Sequence, residues 1–502
     1  MKREITVQLT PLGTSFELNQ DASLIDALTA YGVEFPCGGF GLCGGCRIRL
    51  IQGTLEPTPQ DEQIFTAAEI AAGWRLGCSA RPRQSIKIAV EQWSMPVLSD
   101  ELHMPGSSQT GVGIAIDLGT TTIVAQMIDL GSEAVLGVRT ALNPQSSRGA
   151  DLMSRVRYAL QHQSLTSLIR RCVGGMVEDL ARGRESELRE IILVGNTAMH
   201  HLFAGLDVEP LSHVPFESAN LGMQVFAPLD LDWNLPSDCR IRFLPCIGGF
   251  VGSDILAGIL AVNMPRKDRF VALIDLGTNG EIVLGNRERI LCASTAAGPA
   301  FEAASMRMGM RAAIGAITHV TVRSGKIRCN VMGNVAPRGI CGSGLVDAVA
   351  AGLDLGLILP SGKLANGISQ LIVSEPVALI QSDIRQLQLA KAAVAAGLRI
   401  LLSRWGATFD DLATIYLAGA FGNYVRADSA ERIGLLEVPR ERIVPVGNSA
   451  LHGAKMTLRL GIPQFSAAIE HVPLAANSNF ESEFVNCMRF PVRTMEEHTA
   501  TR

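Results

Sequence analysis

The sequence has no uninterrupted apolar run of about 18 residues, which is the length that a membrane-spanning helix requires. Aromatic residues make up only 5% of the 502 residues, and the net charge is −4, so no basic surface for nucleic acid is indicated. The N-terminal stretch lacks the apolar core of a signal peptide. We therefore expect a protein that binds neither membrane nor nucleic acid.

Cysteine, in contrast, is not scarce, because the chain contains 11 of them. An uneven number without a secretory signal predicts reduced thiols in the cytoplasm and no disulfide framework. Seven of the cysteines are scattered along the chain, and we expect most of these to be small buried hydrophobic residues. Cys246 and Cys341, each beside glycines, fall in this group.

The other four cysteines form a spaced group made of Cys37, Cys43, Cys46 and Cys78. The spacing C-x5-C-x2-C with a distant fourth cysteine is close to that of plant-type ferredoxins, which hold a [2Fe–2S] cluster on four thiolates. Glycines fill the gaps in C-G-G-F-G-L-C-G-G-C and let backbone N–H groups turn toward sulfur. The pattern therefore predicts a [2Fe–2S] cluster on these four residues, with a structural zinc site as the alternative.

The first ninety residues alternate between strand-like and helix-like patterns. Strands are predicted at 5–9, 15–18, 46–51 and 85–90, with a helix from residue 24 to about residue 32. This order is the β-grasp plan, so we predict a ferredoxin-type domain over 1–93. Residues 94–110 lose the periodicity and gather proline, glycine and serine, which predicts a linker.

A strand that opens into an Asp-Leu-Gly-Thr turn occurs twice beyond the linker, at about 113–122 and 272–280. Glycine at such a turn lets backbone N–H groups approach phosphate oxygens, and threonine hydroxyls add further donors. An aspartate beside polyphosphate needs a cation, so we expect hydrated Mg²⁺ to bridge Asp117 or Asp275 to the phosphates. The internal duplication predicts two related phosphate-facing hairpins.

Three motifs in order resemble the phosphate-1, phosphate-2 and adenosine motifs of the ASKHA superfamily of sugar kinases, actin and heat-shock ATPases. They are D-L-G-T-T-T at 117–122, D-L-G-T-N-G at 275–280 and L-A-G-A-F-G at 417–422. The resemblance implies two RNase H-like (actin-like ATPase) lobes, at 111–235 and 236–482, that close over ATP, followed by a tail at 483–502. The ATP-binding residues that it implies are Asp117, Gly119, Thr120, Thr121, Thr122, Asp275, Gly277, Thr278, Asn279, Gly419, Ala420 and Gly422.

A ferredoxin domain followed by an ASKHA module resembles the reductive activators of corrinoid enzymes. Further motifs carry this resemblance: N-P-Q (143–145), G-A-D-L-M-S-R (149–155), V-G-N-T-A-M-H-H-L (194–202), G-G-F-V-G-S-D (248–254), C-G-S-G-L-V-D (341–347) and G-N-S-A-L-H-G-A (447–454). The resemblance implies a multidomain α/β protein that uses ATP to pass one electron from the cluster to a Co(II) corrinoid protein, giving Co(I). It also implies an upstream low-potential donor (a ferredoxin, flavodoxin or reductase) and a homodimer.

Several assignments stay open in the sequence. A small-molecule kinase fused to a ferredoxin is the main alternative function, although no general base for a phosphoryl acceptor can be identified. A dehydratase activator fits poorly, because those proteins have no ferredoxin domain. Glu281, just past the second turn, is a candidate to orient the attacking water, with a solvent-facing strand position as the alternative. Asp151 either meets a partner or caps the helix that follows, and a core or capping role is expected for His200 and His201.

Overall fold

The computed structural model describes residues 4–10, 14–31, 33, 41, 46–90, 110–149, 151–277, 279–298, 300–301, 303, 306–310, 312–422, 425–461 and 468–492. The chain divides into two compact units. The first consists of Met1–Arg266 and Asn448–His471, and the second of Lys267–Gly447 and Val472–Arg502. Among the described residues, no helix combines the length and the hydropathy needed to cross a membrane.

The first ninety residues form a five-stranded sheet with short helices. The elements are β1 (Glu4–Thr10), β2 (Ser15–Asn19), α1 (Ile25–Ala30), β3 (Arg47–Gln52), α2 (Pro59–Ile64), α3 (Ala67–Ala71), β4 (Trp74–Leu76) and β5 (Ile86–Val90). The sheet order is β2-β1-β5-β3-β4, and β1 runs parallel to β5 while the other neighbours are antiparallel. The first and last strands thus pair at the centre of the sheet, which confirms the predicted β-grasp domain.

Apolar alternation alone does not predict α2, α3 and β4. Both helices begin at a threonine whose side chain accepts a backbone hydrogen bond from the third helical residue, Thr58 from Asp61 and Thr66 from Glu69. Each acidic side chain bonds back to the backbone N–H of its threonine, which completes a capping box. Reciprocal capping stabilises helices that are too short to persist alone.

The part of the first unit from β6 (Val112–Leu118) to Arg266 is built on a six-stranded sheet. Its elements are β6 (Val112–Leu118), β7 (Thr122–Asp129), β8 (Val135–Leu142), α4 (Leu152–Ala159), α5 (Ser164–Ala181), β9 (Leu188–Val194), α6 (Thr197–Ala204), β10 (Gln224–Phe226), β11 (Arg240–Phe243) and α7 (Ser253–Ala261). The order is β10-β11-β9-β6-β7-β8. Strands β6, β7 and β8 form an antiparallel meander, whereas β9 is parallel to β6 and β11 is parallel to β9.

The second unit repeats this plan. The remaining elements of the chain are β12 (Val271–Leu276), β13 (Gly280–Gly285), β14 (Arg289–Thr295), β15 (Ala316–Arg323), β16 (Lys326–Val331), β17 (Gly339–Ile340), α8 (Gly342–Asp354), β18 (Leu371–Ser374), β19 (Val377–Leu379), α9 (Gln381–Trp405), β20 (Thr414–Ala418), α10 (Gly419–Gly422), α11 (Ala427–Arg432), β21 (Ile443–Gly447), α12 (Ser449–Leu460), β22 (Ala468–His471) and α13 (Phe480–Met488). Within the unit, the main sheet runs β21-β20-β12-β13-β14. It has the same meander followed by the same two parallel strands, which confirms the predicted duplication.

Helix α12 belongs to the first unit although it follows the last strand of the second in sequence. It packs on β6, β9 and α7. Glycines make this packing possible, because a Cβ at Gly113 would lie 3.0 Å from Leu458, and a Cβ at Gly453 would clash with the carbonyl oxygen of Ala257. The first sheet is therefore covered on this side by a helix that the sequence supplies about 330 residues after β6.

Two predicted domain boundaries need correction. The boundary at residue 236 falls inside the first lobe, because β11 pairs with β9 in the first sheet and this segment of the unit runs to Arg266. The tail predicted from residue 483 begins inside α13, which packs on α9 and buries Cys487 among alanines of that helix. The predicted linker at 94–110 lies, apart from residue 110, outside the described residues.

The close approach of α12 to α7 gives a stability prediction. Gly453→Ala forces a Cβ against the backbone of α7, and overpacking of this kind costs about 1–3 kcal/mol, so we expect a melting temperature lowered by several degrees. Gly175→Ala is the matched control, because Gly175 is an exposed residue of α5 with nothing within 4 Å of an added Cβ. Alanine is favoured over glycine in helices, so the control should unfold at the same or a higher temperature. Equal melting temperatures for the two variants would contradict the packing described here.

Candidate functional site

Two of the four predicted cluster cysteines lie side by side in the ferredoxin-type domain. Cys46 directly precedes β3 and Cys78 follows β4, and the backbone N–H of Gly77 donates to the carbonyl of Cys46 at 2.8 Å. Both cysteines are buried. Cys37 and Cys43 lie outside the described residues. Two buried cysteines next to the ends of paired strands fit a thiolate-bound iron–sulfur cluster.

Asp61 holds the strand that leads to Cys78, and the sequence pattern does not single it out. It is 1% exposed, and its carboxylate accepts hydrogen bonds from the backbone N–H groups of Leu76 and Thr58, both at 2.7 Å. The hydroxyl of Thr58 donates to the same carboxylate and lies 3.1 Å from the hydroxyl of Ser79. The buried carboxylate therefore ties the start of α2 to the residues on both sides of Cys78.

Asp117 ends the first strand of the first predicted hairpin. Its carboxylate accepts a hydrogen bond of 2.7 Å from the side-chain amide of Asn448, the residue that caps α12. Burial raises the pKa of Asp117 from 3.8 to about 6, and the bond from Asn448 opposes that rise. A strongly perturbed carboxyl group at the end of a strand is typical of a functional site.

The turn between β6 and β7 contains the other predicted contacts of this hairpin, Gly119 and Thr120–Thr122. The hydroxyl of Thr120 accepts a hydrogen bond of 2.9 Å from the side chain of Asn196, which also caps α6. A Cβ at Gly119 would lie 2.5 Å from the carbonyl oxygen of Thr122, so this tight turn requires glycine. Thr122 is exposed at the start of β7.

The second hairpin repeats the geometry around Asp275, which ends β12. The backbone N–H of Gly277 donates to the carbonyl of Asn279 at 3.0 Å, which closes the turn into β13. A Cβ at Gly277 would meet no protein atom nearer than 3.8 Å. Thr278 lies outside the described residues.

The predicted adenosine motif lies beside the second hairpin. Gly419 begins α10 with a φ of +82°, and its missing Cβ would lie 2.6 Å from the Oδ1 atom of Asp275. Strand β20, which ends just before Gly419, is parallel to β12 and places Ala418 opposite Asp275. Ala420 and Gly422 continue the same turn. The structure therefore brings the Asp275 turn and the late glycine-rich turn together.

Glu281 does not face solvent. It lies opposite Asp275 in the antiparallel pair of β12 and β13, and it is 7% exposed. The hydroxyl of Ser294 donates to its carboxylate at 3.2 Å. The solvent-facing alternative is therefore wrong, and Glu281 stays a candidate for orienting water.

The other residues that the sequence singles out have structural roles. Asp151 accepts from the backbone N–H of Ser154 at 2.8 Å and caps α4. His200 and His201 are fully buried in α6, and the ring of His201 bonds the carbonyl of Thr197 and the hydroxyl of Ser218, each at 2.8 Å. Burial raises the pKa of Cys246 to about 12, which leaves its thiol protonated at neutral pH.

Comparison with known families agrees with this architecture. Residues 7–83 match the 2Fe-2S iron-sulfur cluster binding domain, residues 112–267 match the RACo middle region, and residues 269–502 match the C-terminal domain of RACo, the ASKHA domain. The second and third matches meet at residues 267 and 269, close to the end of the first segment at Arg266 and far from the predicted boundary at 236.

Relatives that match over more than two thirds of their length decide the family. The corrinoid activation enzyme RamQ of Eubacterium limosum is 34% identical over 425 residues, which cover 75% of this chain and 70% of that protein. This chain belongs to the reductive activators of corrinoid proteins. A second relative in this group, the [Co(II) methylated amine-specific corrinoid protein] reductase of Methanosarcina barkeri, is 28% identical over 377 residues and covers 68% of each chain.

A solved structure of the same group shares the fold of this activator. The reductive activator for a corrinoid, iron-sulfur protein superposes with a TM-score of 0.69 and 24% identity, and the match covers 98% of this chain and 99% of that one. The activator is therefore a multidomain α/β protein with a ferredoxin-type domain followed by an ASKHA region.

Two asparagines of the activator act at the first hairpin, and neither is predicted as a site residue from the sequence. Asn448 and Asn196 are helix caps whose side-chain amides also reach Asp117 and Thr120. Both lie in motifs that carry the family resemblance, G-N-S-A-L-H-G-A and V-G-N-T-A-M-H-H-L. An asparagine before a helix signals only a cap, so the second contact becomes visible only in the tertiary structure.

A glycine pair in the second unit separates backbone strain from contact with Asp275. Gly419 and Gly406 have φ values of +82° and +83°, but an added Cβ meets nothing within 4 Å at Gly406. Alanine at either position costs about 1–2 kcal/mol of left-handed strain. We expect Gly419→Ala, and not Gly406→Ala, to weaken MgATP binding in a calorimetric titration. Binding that is unchanged in both variants would contradict a nucleotide site at Asp275.

The raised pKa of Asp117 gives a pH-dependent prediction for the nucleotide-free protein. The unfolded carboxyl group ionises near pH 4 and the folded one near pH 6, so stability falls between these values as pH rises. At about 1.4 kcal/mol per pKa unit, the loss above pH 6 is about 3 kcal/mol. Asp117→Asn removes it, so the melting temperature of the variant should exceed that of the wild type at pH 7 but not at pH 4.

Asp129 provides a control of opposite sign. The backbone N–H and hydroxyl of Ser132 bond its carboxylate and lower its pKa, so ionised Asp129 stabilises the folded state above its ordinary titration range. Asp129→Asn should therefore lower the melting temperature at pH 7 more than at low pH. A melting-temperature difference between wild type and Asp117→Asn that does not change with pH would contradict the burial of ionised Asp117.

Proposed function

We propose that this protein reduces a corrinoid protein in an ATP-dependent reaction, passing one electron from a [2Fe–2S] cluster to convert inactive Co(II) to Co(I). One observation carries the proposal: the same chain contains a 2Fe-2S binding domain and two hairpins, β6–β7 and β12–β13, with the Asp-Leu-Gly-Thr turn. The names of the relatives, a corrinoid activation enzyme and a Co(II) corrinoid protein reductase, support the same function.

The electron-carrying half consists of Cys37, Cys43, Cys46 and Cys78, which we propose as the cluster ligands. Cys46 and Cys78 are buried, and such burial restricts access of water to a bound cluster. The bond from Gly77 to the Cys46 carbonyl and the bonds of Asp61 hold the two thiols in place. When bound, a plant-type cluster supplies single electrons at about −400 mV.

The nucleotide-binding half uses the two hairpins and the late glycine-rich turn. We propose that Asp117 or Asp275 holds the hydrated Mg²⁺ of MgATP and that backbone N–H groups at 119–122 and 277–279 bind its phosphates. The open space over Gly277 supports this assignment. No protein atom of the described residues occupies the space where its Cβ would be, so the glycine leaves room for a ligand to approach the backbone. Gly419, Ala420 and Gly422 are proposed to contact the nucleoside.

Coupling of the two halves has an energetic purpose. The Co(II)/Co(I) couple is expected to lie below the cluster potential, and each 59 mV of shortfall lowers the one-electron equilibrium constant about tenfold. ATP donates no electron, but it favours one conformation of the complex by its difference in affinity for the two states. A conformation that removes a ligand from cobalt makes the reduction easier. We propose that MgATP selects this conformation.

The proposed electron transfer requires an acceptor and a donor as partners. The electron acceptor is a corrinoid protein, and an upstream ferredoxin, flavodoxin or reductase with a low potential reloads the cluster. We also propose a homodimer as the working assembly. A Co(II) corrinoid protein is the substrate to test first, and the genes that neighbour the gene for this activator would identify which one.

An electron-transfer assay with a Co(II) corrinoid protein as acceptor tests the function. Photoreduced activator is mixed with the Co(II) corrinoid protein with or without MgATP, and formation of Co(I) is followed by absorbance. We expect a higher Co(I) yield with MgATP. Cys78→Ser should abolish transfer in both conditions, because one of four cluster ligands is lost.

Asp275→Asn separates the two halves of the proposal. This variant should retain the cluster absorbance and the ATP-independent yield, while the gain from MgATP disappears. Equal Co(I) yields of the wild type with and without MgATP would contradict the coupling. Transfer of the γ-phosphate to a metabolite, with no stimulation by the corrinoid protein, would support the kinase alternative.

A further inference from the structure

Three successive carbonyl groups in the turn of the first hairpin are held from one side. The side-chain amide of Asn143 donates to the carbonyl of Gly119 at 2.9 Å, and the guanidinium of Arg155 donates to that of Thr120 at 2.6 Å. The backbone N–H of Asn143 donates to the carbonyl of Thr121 at 2.9 Å. The donors belong to the segments after β8 and in α4, which carry the motifs N-P-Q and G-A-D-L-M-S-R.

Fixing these carbonyls also fixes the direction of the following amides. In a trans peptide the C=O of one residue and the N–H of the next point in opposite directions. The N–H groups of Thr120, Thr121 and Thr122 are therefore directed away from Asn143 and Arg155. Successive N–H groups directed to one side of a turn make a concavity that binds anions.

The two donors are themselves rigidly placed. Asn143 is fully buried, and its Oδ1 atom accepts from the backbone N–H of Gln145 at 3.0 Å. Arg155 is 1% exposed, and its Nε atom donates to the carbonyl of Gly149 at 2.9 Å. A side chain held at two points cannot follow the turn if it moves, so the turn is held in one conformation.

Arg155 also brings a buried positive charge to this side of the turn. Burial lowers its pKa to about 10, so the guanidinium stays charged at neutral pH. The charge of Asp151 opposes part of this shift, and the hydrogen bonds of the guanidinium go to the carbonyl oxygens of Gly149 and Thr120. An anion bound on the far side of the turn would compensate this charge.

We infer that Asn143 and Arg155 are positioning residues for phosphate binding, which direct the N–H groups of Thr120–Thr122 toward the phosphates of the nucleotide without contacting it. This inference rests on the proposed function of the hairpin as a nucleotide site. The inference gives a role in the site to the motifs N-P-Q and G-A-D-L-M-S-R, whose local structure is only a turn and a capped helix.

The test compares two arginines whose side chains both donate to backbone carbonyls. Arg155→Gln removes the charge and the bond to Thr120, and we expect the Kd of MgATP to rise at least about tenfold, equivalent to about 1.4 kcal/mol. Arg170→Gln is the matched control, because Arg170 also donates to two carbonyls, those of Phe203 and Ala204 at the end of α6, and burial also lowers its pKa. The control should lose thermal stability without a change in MgATP affinity.

Two more variants keep the outcome interpretable. Arg155→Lys retains the charge and should recover part of the affinity, whereas a purely structural role predicts no such recovery. If Arg155→Gln does not fold, Asn143→Ala removes the side-chain donor to the carbonyl of Gly119, keeps the backbone donor to that of Thr121, and should weaken MgATP binding in the same way. Thermal unfolding of every variant, without nucleotide, measures the structural cost separately.

The possible failures are distinguishable. A wild-type protein that binds no MgATP would overturn the proposed function and this inference together. A wild-type protein that binds MgATP, with Arg155→Gln and Asn143→Ala both within twofold of its Kd, would overturn the inference alone. Equal losses of affinity in Arg155→Gln and Arg170→Gln would show that general destabilisation, and not the direction of the turn, is responsible.

Discussion

The hydrogen bond between Asp117 and Asn448 links the first phosphate-type hairpin of the first unit to the helix α12 that returns to this unit late in the chain. It joins residues 331 positions apart, and it places a carboxylate at the end of a buried strand within reach of one amide donor. Asn448 reaches Asp117 because α12 packs on β6 and α7. This packing is so close that position 453 has no space for a side chain and requires glycine. A helix cap thereby affects the electrostatics of the site, since the side-chain amide that caps α12 also opposes the rise in the pKa of Asp117.

The two hairpins share a topology but differ in what surrounds each aspartate. Asp117 receives a hydrogen bond from a helix cap, whereas Asp275 is approached by the backbone at Gly419, where only glycine fits. A duplicated fold therefore supports two different environments for the same residue type. The difference matches the proposed division of labour, in which the first turn is directed at phosphates and the second also adjoins the turn assigned to the nucleoside.

Local patterns predict much of this protein from the sequence. Alternating apolar residues and the repeated Asp-Leu-Gly-Thr turns give the β-grasp strands and both hairpins, because strand period and turn chemistry act over a few residues. The predicted boundary between the two lobes, at residue 236, lies too early in the chain. The short strand β11 follows it but pairs with β9, about 50 residues earlier, and local patterns do not show such a pairing. No local pattern shows that α12 returns to the first unit, because an amphipathic helix does not specify what it packs against.

Cysteine spacing and glycine at a turn are properties of neighbouring residues, so they indicate the chemistry of the chain before its fold is known. How the site is held depends on tertiary contacts. The bonds of Leu76 to Asp61, of Asn196 to Thr120 and of Arg155 to Thr120 span 15, 76 and 35 positions of the chain. Buried polar groups need partners wherever the fold brings them, and that requirement is met only after the chain has folded.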